Sequence, residues 1–244
     1  MHRPVGNADP KPASRLLICV ATDLEAKPVF AGWQVQFSPS SLAHAWRASR
    51  LDDQTDLVVT GVGKANAAGG LANLAPDYAI AINLGIAGAL PGSGLNLGDV
   101  VAATACWSAD EGVRTPENFL TLESLGFPLG DFSGPTPVDS SLLERLTTIV
   151  SRVGPIASVS TCSGTDELAS AVANRFPDAP PIAEDMESAA LAQTAVRLGI
   201  HFGAVRVISN TTGDRSGQRW DIPRALARLS EVAAKIRAMR LAVK

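Results

Sequence analysis

Residues 79–90 read AIAINLGIAGAL, and they form the longest apolar stretch of the chain. A membrane-spanning helix needs about 20 apolar residues, so this stretch is too short to be one. We interpret residues 79–85 as a buried β-strand. The end of the stretch, Gly85-Ile-Ala87-Gly88, consists largely of small residues, which allow a ligand to approach the backbone closely. Dense packing of a helix against the sheet would explain these small residues equally well.

Five further apolar runs predict buried strands, at residues 16–22, 56–60, 99–105, 156–161 and 202–209. Apolar residues recur at three and four positions in other segments, which predicts helices at 65–74, 140–152, 166–176, 188–198 and 223–241. Strands that alternate with helices are typical of a mostly parallel or mixed sheet covered on both faces. The predicted fold class is therefore α/β.

The predicted strands and helices belong to one domain, because no repeat or linker divides residues 15–244. Residues 1–14 contain three prolines and show no periodicity, which predicts a disordered leader outside the fold. Residues 109–137 are rich in glycine, proline and charge and also lack clear periodicity. A loop of that length in a compact domain usually serves as a lid, a binding loop or a subunit contact.

Composition excludes several classes of function. The chain has 21 Lys+Arg and 24 Asp+Glu, a net charge of −3, and no basic cluster, which argues against binding to nucleic acid. The three cysteines and three histidines are widely separated, so the sequence predicts no disulfide framework, zinc site or Ser-His-Asp triad. We expect a protein of the reducing cytoplasm, without a membrane contact, that catalyses with carboxylates or amides and needs no metal or organic cofactor.

A glycine cluster, Gly61-Val-Gly63-Lys64-Ala65-Asn66, follows one predicted strand and opens a predicted helix. A dinucleotide-binding fingerprint would need glycine in place of Asn66 and an acidic residue at a strand end about 20 positions further on. The sequence has neither. We therefore interpret the cluster as a tight turn from strand to helix.

Three polar residues stand where predicted strands end or helices begin. Glu25 follows the first strand and is a candidate general base, although a carboxylate in the first turn of a helix is also favoured by the helix dipole. Glu187 directly precedes the helix predicted at 188–198 and could accept hydrogen bonds from ligand hydroxyls; an acidic first turn explains Glu184 and Asp185 better than it explains Glu187. The amide of Asn210, at another strand end, can present one donor and one acceptor side by side.

From about residue 16 to the end, the ordered set of motifs resembles the nucleoside phosphorylase and nucleosidase superfamily. The resemblance rests on Ala21-x-x-x-Glu25, Gly61-x-Gly63-Lys64-x-Asn66, Gly85-x-Ala87-Gly88, Leu97-Gly98-Asp99-Val100-Val101, Met186-Glu187-Ser188 and Val205-Arg206-x-Ile208-Ser209. It implies a single-domain, three-layer α/β fold with a mixed, partly closed central sheet flanked by helices. It also implies a homodimer or larger homo-oligomer that binds a small purine nucleoside at the strand ends.

Within that superfamily the chain resembles hydrolases more than phosphorylases. Bacterial phosphorylases similar to it bring arginines and a serine to the phosphate at positions that correspond here to Asn83, Ile86 and residues 22–25, which supply no guanidinium. A phosphate dianion without cationic partners would be held poorly. The resemblance therefore implies water as the nucleophile, with Glu25 as the base, and an oxocarbenium-like transition state.

The residue expected to contact the base narrows the substrate. Nucleosidases that act on methylthioadenosine and S-adenosylhomocysteine carry an aspartate where this chain has Asn210. Adenine with a protonated N7 presents two donors, whereas hypoxanthine presents the O6 acceptor and the N7–H donor, which an amide matches. The Ser209-Asn210 pair and the stretches Gly213-Asp-Arg215 and Arg219-Trp-Asp-Ile-Pro223 also resemble the futalosine hydrolase family, which releases hypoxanthine from futalosine for menaquinone biosynthesis.

The resemblance implies catalytic roles for Glu25 and Asn210, and it implies substrate contacts from Ala87, Gly88, Thr165, Met186, Glu187 and Trp220. Trp220 would line the sugar and base; a core position near the last helix is the alternative. Candidates for binding the benzoate carboxylate of futalosine are Arg114, Arg215 and Arg219, which the sequence does not rank. Two other functions stay open: a methylthioadenosine/S-adenosylhomocysteine nucleosidase that releases adenine, and a non-catalytic nucleoside-binding protein.

Overall fold

The computed structural model describes residues 15–37, 39, 46–127 and 134–241. The leader predicted at residues 1–14 lies outside the described residues. The strands of the described part are β1 (Leu16–Val20), β2 (Ala48–Arg50), β3 (Thr55–Val59), β4 (Ile80–Ala89), β5 (Val100–Ser108), β6 (Gly112–Arg114), β7 (Phe119–Thr121), β8 (Thr136–Pro137), β9 (Arg152–Ser158), β10 (Ala183–Asp185) and β11 (His201–Thr211). The helices are α1 (Asp23–Trp33), α2 (Lys64–Leu74), α3 (Ser140–Thr147), α4 (Asp166–Ala173), α5 (Ser188–Leu198) and α6 (Ile222–Met239), with a 3-10 turn at Ala75–Asp77.

The central sheet is mixed and partly closed. Its strand order is β10-β9-β5-β11-β4-β1-β3-β2, and β8 pairs with β5. Strand β4 lies parallel to both β1 and β11, whereas β11 and β5 are antiparallel. Strand β10 pairs with β9 and also with β4, so five of the strands close on themselves like a small barrel. The predicted α/β class and the partly closed sheet are therefore confirmed.

Helices cover both faces of the sheet, which gives the three predicted layers. Successive residues of a strand point to opposite faces. Leu16 and Ile18 of β1 accordingly pack in one core cluster with side chains from α1, α3 and α6, and Leu17 packs in a second cluster with side chains from α2 and α5. No helix among the described residues is both long and apolar enough to cross a membrane.

The structure corrects several predicted boundaries. The helix predicted at 140–152 ends at Thr147, and Arg152 already pairs with β5 as the first residue of β9. Strand β4 continues to Ala89 instead of ending at residue 85, because its small residues pair with β11 along that whole length. Helix α1 is an addition to the predicted elements: it contains Pro28, which normally breaks a helix.

Residues 109–137 have more regular structure than their sequence predicts. The described part contains the antiparallel hairpin of β6 and β7 and the short strand β8, which pairs with β5. Residues 128–133 lie outside the described part. The predicted role of this segment as a lid, binding loop or subunit contact stays a prediction.

Candidate active site

A cavity of about 490 Å³ lies where β1, β4, β10 and β11 end. That volume is within the range of pockets for small ligands, and strand ends are where open α/β sheets bind them. The cavity brings together seven of the eight predicted site residues: Glu25, Ala87, Gly88, Met186, Glu187, Asn210 and Trp220.

Thr165, the eighth predicted site residue, does not line the cavity. Its side chain caps the N-terminus of α4, where the hydroxyl oxygen accepts a hydrogen bond from the backbone N–H of Leu168 at 3.2 Å. The residues before it, Cys162, Ser163 and Gly164, line the cavity instead. The hydroxyl of Thr165 is committed to the helix, so the structure gives no support for a substrate contact there.

Glu25 is fixed by the backbone around it. Its carboxylate is 4% exposed and forms a capping box with Thr22 at the start of α1. Oε2 accepts hydrogen bonds from the backbone N–H groups of Ala21 and Thr22, at 3.0 and 3.1 Å, and from the Thr22 hydroxyl at 3.1 Å. Oε1 accepts from the backbone N–H of Ile86 at 3.0 Å, which ties the end of β1 to the middle of β4. Glu25 therefore lies in the first turn of a helix and also lines the cavity, and its role as a general base stays a prediction.

Glu187 is held from two sides at the start of α5. Oε1 accepts a hydrogen bond from the backbone N–H of Gly63 at 3.0 Å, and Oε2 accepts one from Nη2 of Arg206 at 3.1 Å. Burial is the main cause that raises the pKa of Glu187 to about 7; the charges of Asp185 and Glu25 also act to raise it, and the charge of Arg206 and the hydrogen bond from Gly63 act to lower it. Ionised and protonated forms of this carboxyl therefore both occur near neutral pH.

The glycine cluster is the tight turn that the sequence predicts. Gly61 and Gly63 have φ values of +92° and +95°, which favour glycine. Gly63 is also the N-cap of α2, and its backbone N–H is the donor to Glu187. The turn therefore places a donor in the site.

Arg206 is the main site residue that the sequence analysis did not single out. Its side chain is completely buried, and it pairs with Asp185 through Nε at 2.8 Å and with Glu187 through Nη2. Its Nη1 has no hydrogen-bond partner in the described structure. The sequence did contain a signal for Arg206: it is a charged residue inside the apolar run 202–209. A buried charge needs a partner, so this position could have been recognised as part of a site.

Gly85 provides the space between Arg206 and Glu25. A Cβ atom at this position would lie 2.1 Å from Nη1 of Arg206 and 2.5 Å from Oε1 of Glu25. Any other residue would therefore displace one of the two charged side chains. The absence of a Cβ at Gly85 allows the free N–H of a guanidinium and the candidate base to lie close to the same point.

The amide of Asn210 has a defined orientation. A bulge in β11 separates Ile208 from Asn210, and Nδ2 of Asn210 donates to the backbone carbonyl of Thr211 at 2.9 Å. A carbonyl can only accept, so this contact fixes which side of the amide is the nitrogen. Oδ1 accepts from the hydroxyl of Ser209 at 2.8 Å. One N–H and one lone pair of the amide are left for a ligand.

Gly88 keeps the space beside this amide open. A Cβ atom there would lie 3.0 Å from Nδ2 of Asn210 and 2.8 Å from the methyl group of Thr212. The small residues at the end of β4 therefore leave space for a ligand next to the Asn210 amide, in addition to allowing close packing.

Glu184 is a further buried acid that lines the cavity, and it lies in β10 rather than in the first turn of a helix. It accepts hydrogen bonds from the backbone N–H of Ser163, at 2.8 Å, and from the Ser163 hydroxyl. Desolvation by burial raises the pKa of Glu184. The interpretation of Glu184 as part of an acidic helix start is therefore wrong, and Glu184 instead holds the segment 162–164 against the cavity. Asp185 also lies in β10, but its carboxylate accepts a hydrogen bond from the backbone N–H of Ser188, the first residue of α5, at 3.3 Å.

The exposed side of the cavity, its mouth, is lined by Arg215, Gln218 and Trp220, and also by the exposed side chains of Leu24 and Val62. The indole of Trp220 is 44% exposed, so the alternative of a core tryptophan is wrong. The guanidinium of Arg215 lies over that indole, 4.8 Å from the ring centroid. Among the three arginines that the sequence offered, Arg215 lines the cavity and Arg114 and Arg219 do not.

The fold and the cavity define an α/β enzyme of the nucleoside-cleaving class, with buried carboxylates at the strand ends and the oriented amide of Asn210 at one side. Comparison with known proteins agrees. The model of the Phosphorylase superfamily matches residues 36–242, and the chain belongs to that superfamily.

Its relatives include both kinds of nucleosidase that the sequence analysis named as candidates. Futalosine hydrolase from Acidothermus cellulolyticus is 35% identical over 90% of this chain and 89% of its own length. Futalosine hydrolase from Streptomyces coelicolor is 32% identical over 77% of this chain and 80% of its own. A 5′-methylthioadenosine/S-adenosylhomocysteine nucleosidase from Staphylococcus aureus is 31% identical over 72% of this chain and 77% of its own.

Solved structures share the fold at lower identity. The Streptococcus pneumoniae MTA/SAH nucleosidase in complex with 8-aminoadenine superposes with a TM-score of 0.73 and 22% identity, over 92% of this chain and 99% of that one. A futalosine hydrolase mutant of Helicobacter pylori gives a TM-score of 0.72 and 16% identity, over 93% and 99%. The single-domain nucleosidase fold is therefore confirmed.

Proposed function

We propose that this chain is a purine nucleosidase that hydrolyses the N-glycosidic bond of futalosine and releases hypoxanthine, a step of menaquinone biosynthesis. The observation that carries the proposal is the oriented amide of Asn210, because its free donor and acceptor match a 6-oxopurine. The relatives named futalosine hydrolase, at 35% and 32% identity, support the same substrate.

Base selectivity follows from the one N–H and the one lone pair of the Asn210 amide that do not bind to the protein. The second N–H of Nδ2 donates to O6 of hypoxanthine, and the free lone pair of Oδ1 accepts from N7–H. Adenine would present its amino group to Nδ2, so that two donors would face each other. A buried donor without a partner costs about 1–3 kcal/mol, which is enough to reject the wrong base by roughly one to two orders of magnitude.

Glu187 holds the ribose in this scheme. The contacts from Gly63 and Arg206 fix its carboxylate, and each oxygen keeps a lone pair for a ribose hydroxyl. Met186 packs beside the sugar. Binding the hydroxyls in this way orients the anomeric carbon toward the buried end of the cavity.

Water is activated between Glu25 and Arg206. Oε2 of Glu25 accepts three hydrogen bonds but Oε1 accepts one, so Oε1 keeps a lone pair. A water that donates to this oxygen and accepts from the unpartnered Nη1 of Arg206 is positioned by both groups. As the glycosidic bond stretches and positive charge grows on the sugar, the water attacks the anomeric carbon and Glu25 takes its proton. The electron pair of the broken C–N bond goes to the purine, which takes a proton from solvent at N7, and Asn210 stabilises this N7–H form of the departing base.

The charge around Arg206 favours water over phosphate. Asp185 and Glu187 both pair with this guanidinium, and Glu25 adds a third carboxylate nearby. A phosphate dianion entering this site would meet more negative than positive charge. We therefore expect hydrolysis that does not depend on orthophosphate.

We also propose a homodimer or larger homo-oligomer in the cytoplasm. Two exposed apolar side chains at the cavity, Leu24 at 52% and Val62 at 48%, support a subunit contact near the site. Analytical ultracentrifugation at several concentrations tests the assembly; a sedimentation coefficient of the monomer at every concentration would contradict it.

One experiment tests the function directly. Purified protein is incubated with futalosine, inosine and methylthioadenosine, each with and without orthophosphate, and the released bases are separated by chromatography. We expect hypoxanthine from futalosine at a rate independent of phosphate, and we expect Asn210→Asp to shift activity toward adenine release from methylthioadenosine. Faster adenine release by the unmodified protein would favour the alternative nucleosidase, and no release from any substrate would favour a binding protein.

A further inference from the structure

The cavity has a buried end and an exposed mouth. Glu25 and Glu187 at the buried end are 4% and 5% exposed, whereas Trp220 at the mouth is 44% exposed. With the base on Asn210 and the ribose on Glu187, the glycosidic bond lies at the buried end. A substituent on the 5′ carbon of the ribose must then extend toward the mouth, because the buried end is closed by protein.

Arg215 is a cation without a charge partner at that mouth. Its side chain donates to Oε1 of Gln218 at 3.0 Å and lies over the indole of Trp220, and both partners are neutral. In the described part of the chain, no carboxylate lies within salt-bridge distance of its guanidinium. Arg206, by contrast, is matched by two carboxylates. Arg215 therefore has both charge and N–H donors left for a ligand.

The guanidinium is positioned by the protein rather than free on the surface. The backbone N–H of Arg215 donates to the carbonyl of Gly164 at 3.0 Å. Gln218 accepts from Arg215 and from the indole N–H of Trp220, and its own amide donates to the carbonyl of Ser163 at 3.1 Å. These contacts join the mouth to the segment that lines the cavity, so the guanidinium lies at a defined place.

The negative charge of the other side chains that line the cavity indicates which ligand Arg215 would bind. Four carboxylates line the cavity, and they would repel an anionic ligand: Glu25, Glu184, Asp185 and Glu187. A neutral nucleoside needs no cation at the mouth. A nucleoside with an acidic 5′ substituent does, and a planar guanidinium suits a carboxylate because it can form two parallel hydrogen bonds.

We propose that Arg215 is a specificity residue that binds a carboxylate carried on the 5′ substituent and so selects acidic nucleosides over neutral ones. The inference rests on the proposed function, because futalosine is the substrate that carries such a group. Trp220, fixed by Gln218, offers its ring as a packing surface for the aromatic part of that substituent.

The test compares futalosine with its methyl ester, in which a methyl group on one carboxylate oxygen removes the negative charge. We expect the wild type to prefer the acid over the ester by about tenfold in kcat/KM, as for a charged hydrogen bond at a partly exposed site. Arg215→Gln should bring that ratio close to one by raising KM for the acid, with kcat little changed. Arg215→Lys should keep part of the preference. Added salt should weaken binding of the acid to the wild type and have less effect on Arg215→Gln.

The matched control is Arg219→Gln, an exposed arginine four residues away that does not line the cavity. It should keep the wild-type preference. The inference is overturned if Arg215→Gln keeps that preference, if Arg219→Gln loses it equally, or if the wild type cleaves acid and ester alike. A wild type that cleaves neither compound would instead contradict the proposed function, and the role of Arg215 would fail with it.

Discussion

The two ends of the cavity are built differently. At the buried end the charged groups are satisfied largely by the protein itself: Glu25 accepts four hydrogen bonds, and Arg206 pairs with Asp185 and Glu187. At the mouth, Arg215 and Trp220 are exposed, and the partners that the described residues offer to the Arg215 guanidinium, Gln218 and Trp220, are neutral. Folding alone therefore organises the groups for bond cleavage, whereas the groups at the mouth keep hydrogen-bonding capacity for the substrate. Mutations at the buried end should therefore change kcat, and mutations at the mouth should change which substrate the enzyme prefers.

The largest effect is expected at the buried end, for Glu25→Gln. The amide cannot take a proton from water, so kcat should fall by about 10²–10⁴-fold, while KM changes little because the base and ribose contacts remain. Steady-state kinetics with futalosine measure both values. A variant that keeps more than about a tenth of the wild-type kcat would remove Glu25 from the role of general base.

Two measurements accompany this variant. The amide nitrogen would face one of the backbone N–H groups that now donate to Glu25, so thermal unfolding must show that the variant is folded. Glu231→Gln is the matched control, because Glu231 is an exposed carboxylate on α6 paired with Arg228. It should keep the wild-type kcat; an equal loss in both variants would mean that the effect is not specific to the site.

A second prediction compares one substitution at the two ends. Arg206→Gln leaves Asp185 and Glu187 buried without a cation, which should lower the free energy of unfolding by about 3–5 kcal/mol. Arg215→Gln removes an exposed side chain and should change it by no more than about 0.5 kcal/mol. Urea unfolding of both variants checks this. Similar losses for the two would show that the mouth supports the fold, and the contrast between the two ends would no longer hold.

The sequence predicted where the site lies better than how it is held together. Glu25 and Asn210 follow predicted strands, and Glu187 directly precedes a predicted helix. In an α/β sheet the strand ends and the starts of the helices lie at one edge, so their meeting could be inferred. Helix α5 was predicted to the residue, because its apolar periodicity is clear and Gly199 ends it with a φ of +62°.

The contacts that fix these side chains could not be inferred in the same way. Gly63 donates to Glu187 across 124 positions of the sequence, and no local pattern encodes a partner at that distance. The same limit applies to Arg206, whose buried position was visible but whose partners were not. Thr165 shows the opposite case: the resemblance implied a substrate contact, whereas the structure places its hydroxyl oxygen at the N-terminus of α4, and the substrate contact stays a prediction.

The smallest expected effect concerns pH and the ribose contact. Burial raises the pKa of Glu187 to about 7, above its usual value of 4.5. The ionised carboxylate accepts hydrogen bonds from the ribose hydroxyls, whereas the protonated form has lost one acceptor site. As pH falls through 7 the fraction of competent enzyme falls, so kcat/KM should be roughly tenfold lower at about pH 6 than at pH 8.

Stability should fall as pH rises, which is opposite to the change in kcat/KM. A carboxyl whose pKa is higher in the folded than in the unfolded state binds its proton more tightly when folded, so its contribution to stability is lost as pH rises from about 4.5 to 7. Glu187→Gln should remove the pH dependence of both kcat/KM and stability. The variant should have a lower kcat/KM at every pH, without the roughly tenfold fall between about pH 8 and pH 6. If the variant kept the wild-type inflection near pH 7, another group would titrate there. Glu187 would then position the ribose without changing its own protonation state in this range, and the pH dependence of kcat/KM would come from a different group.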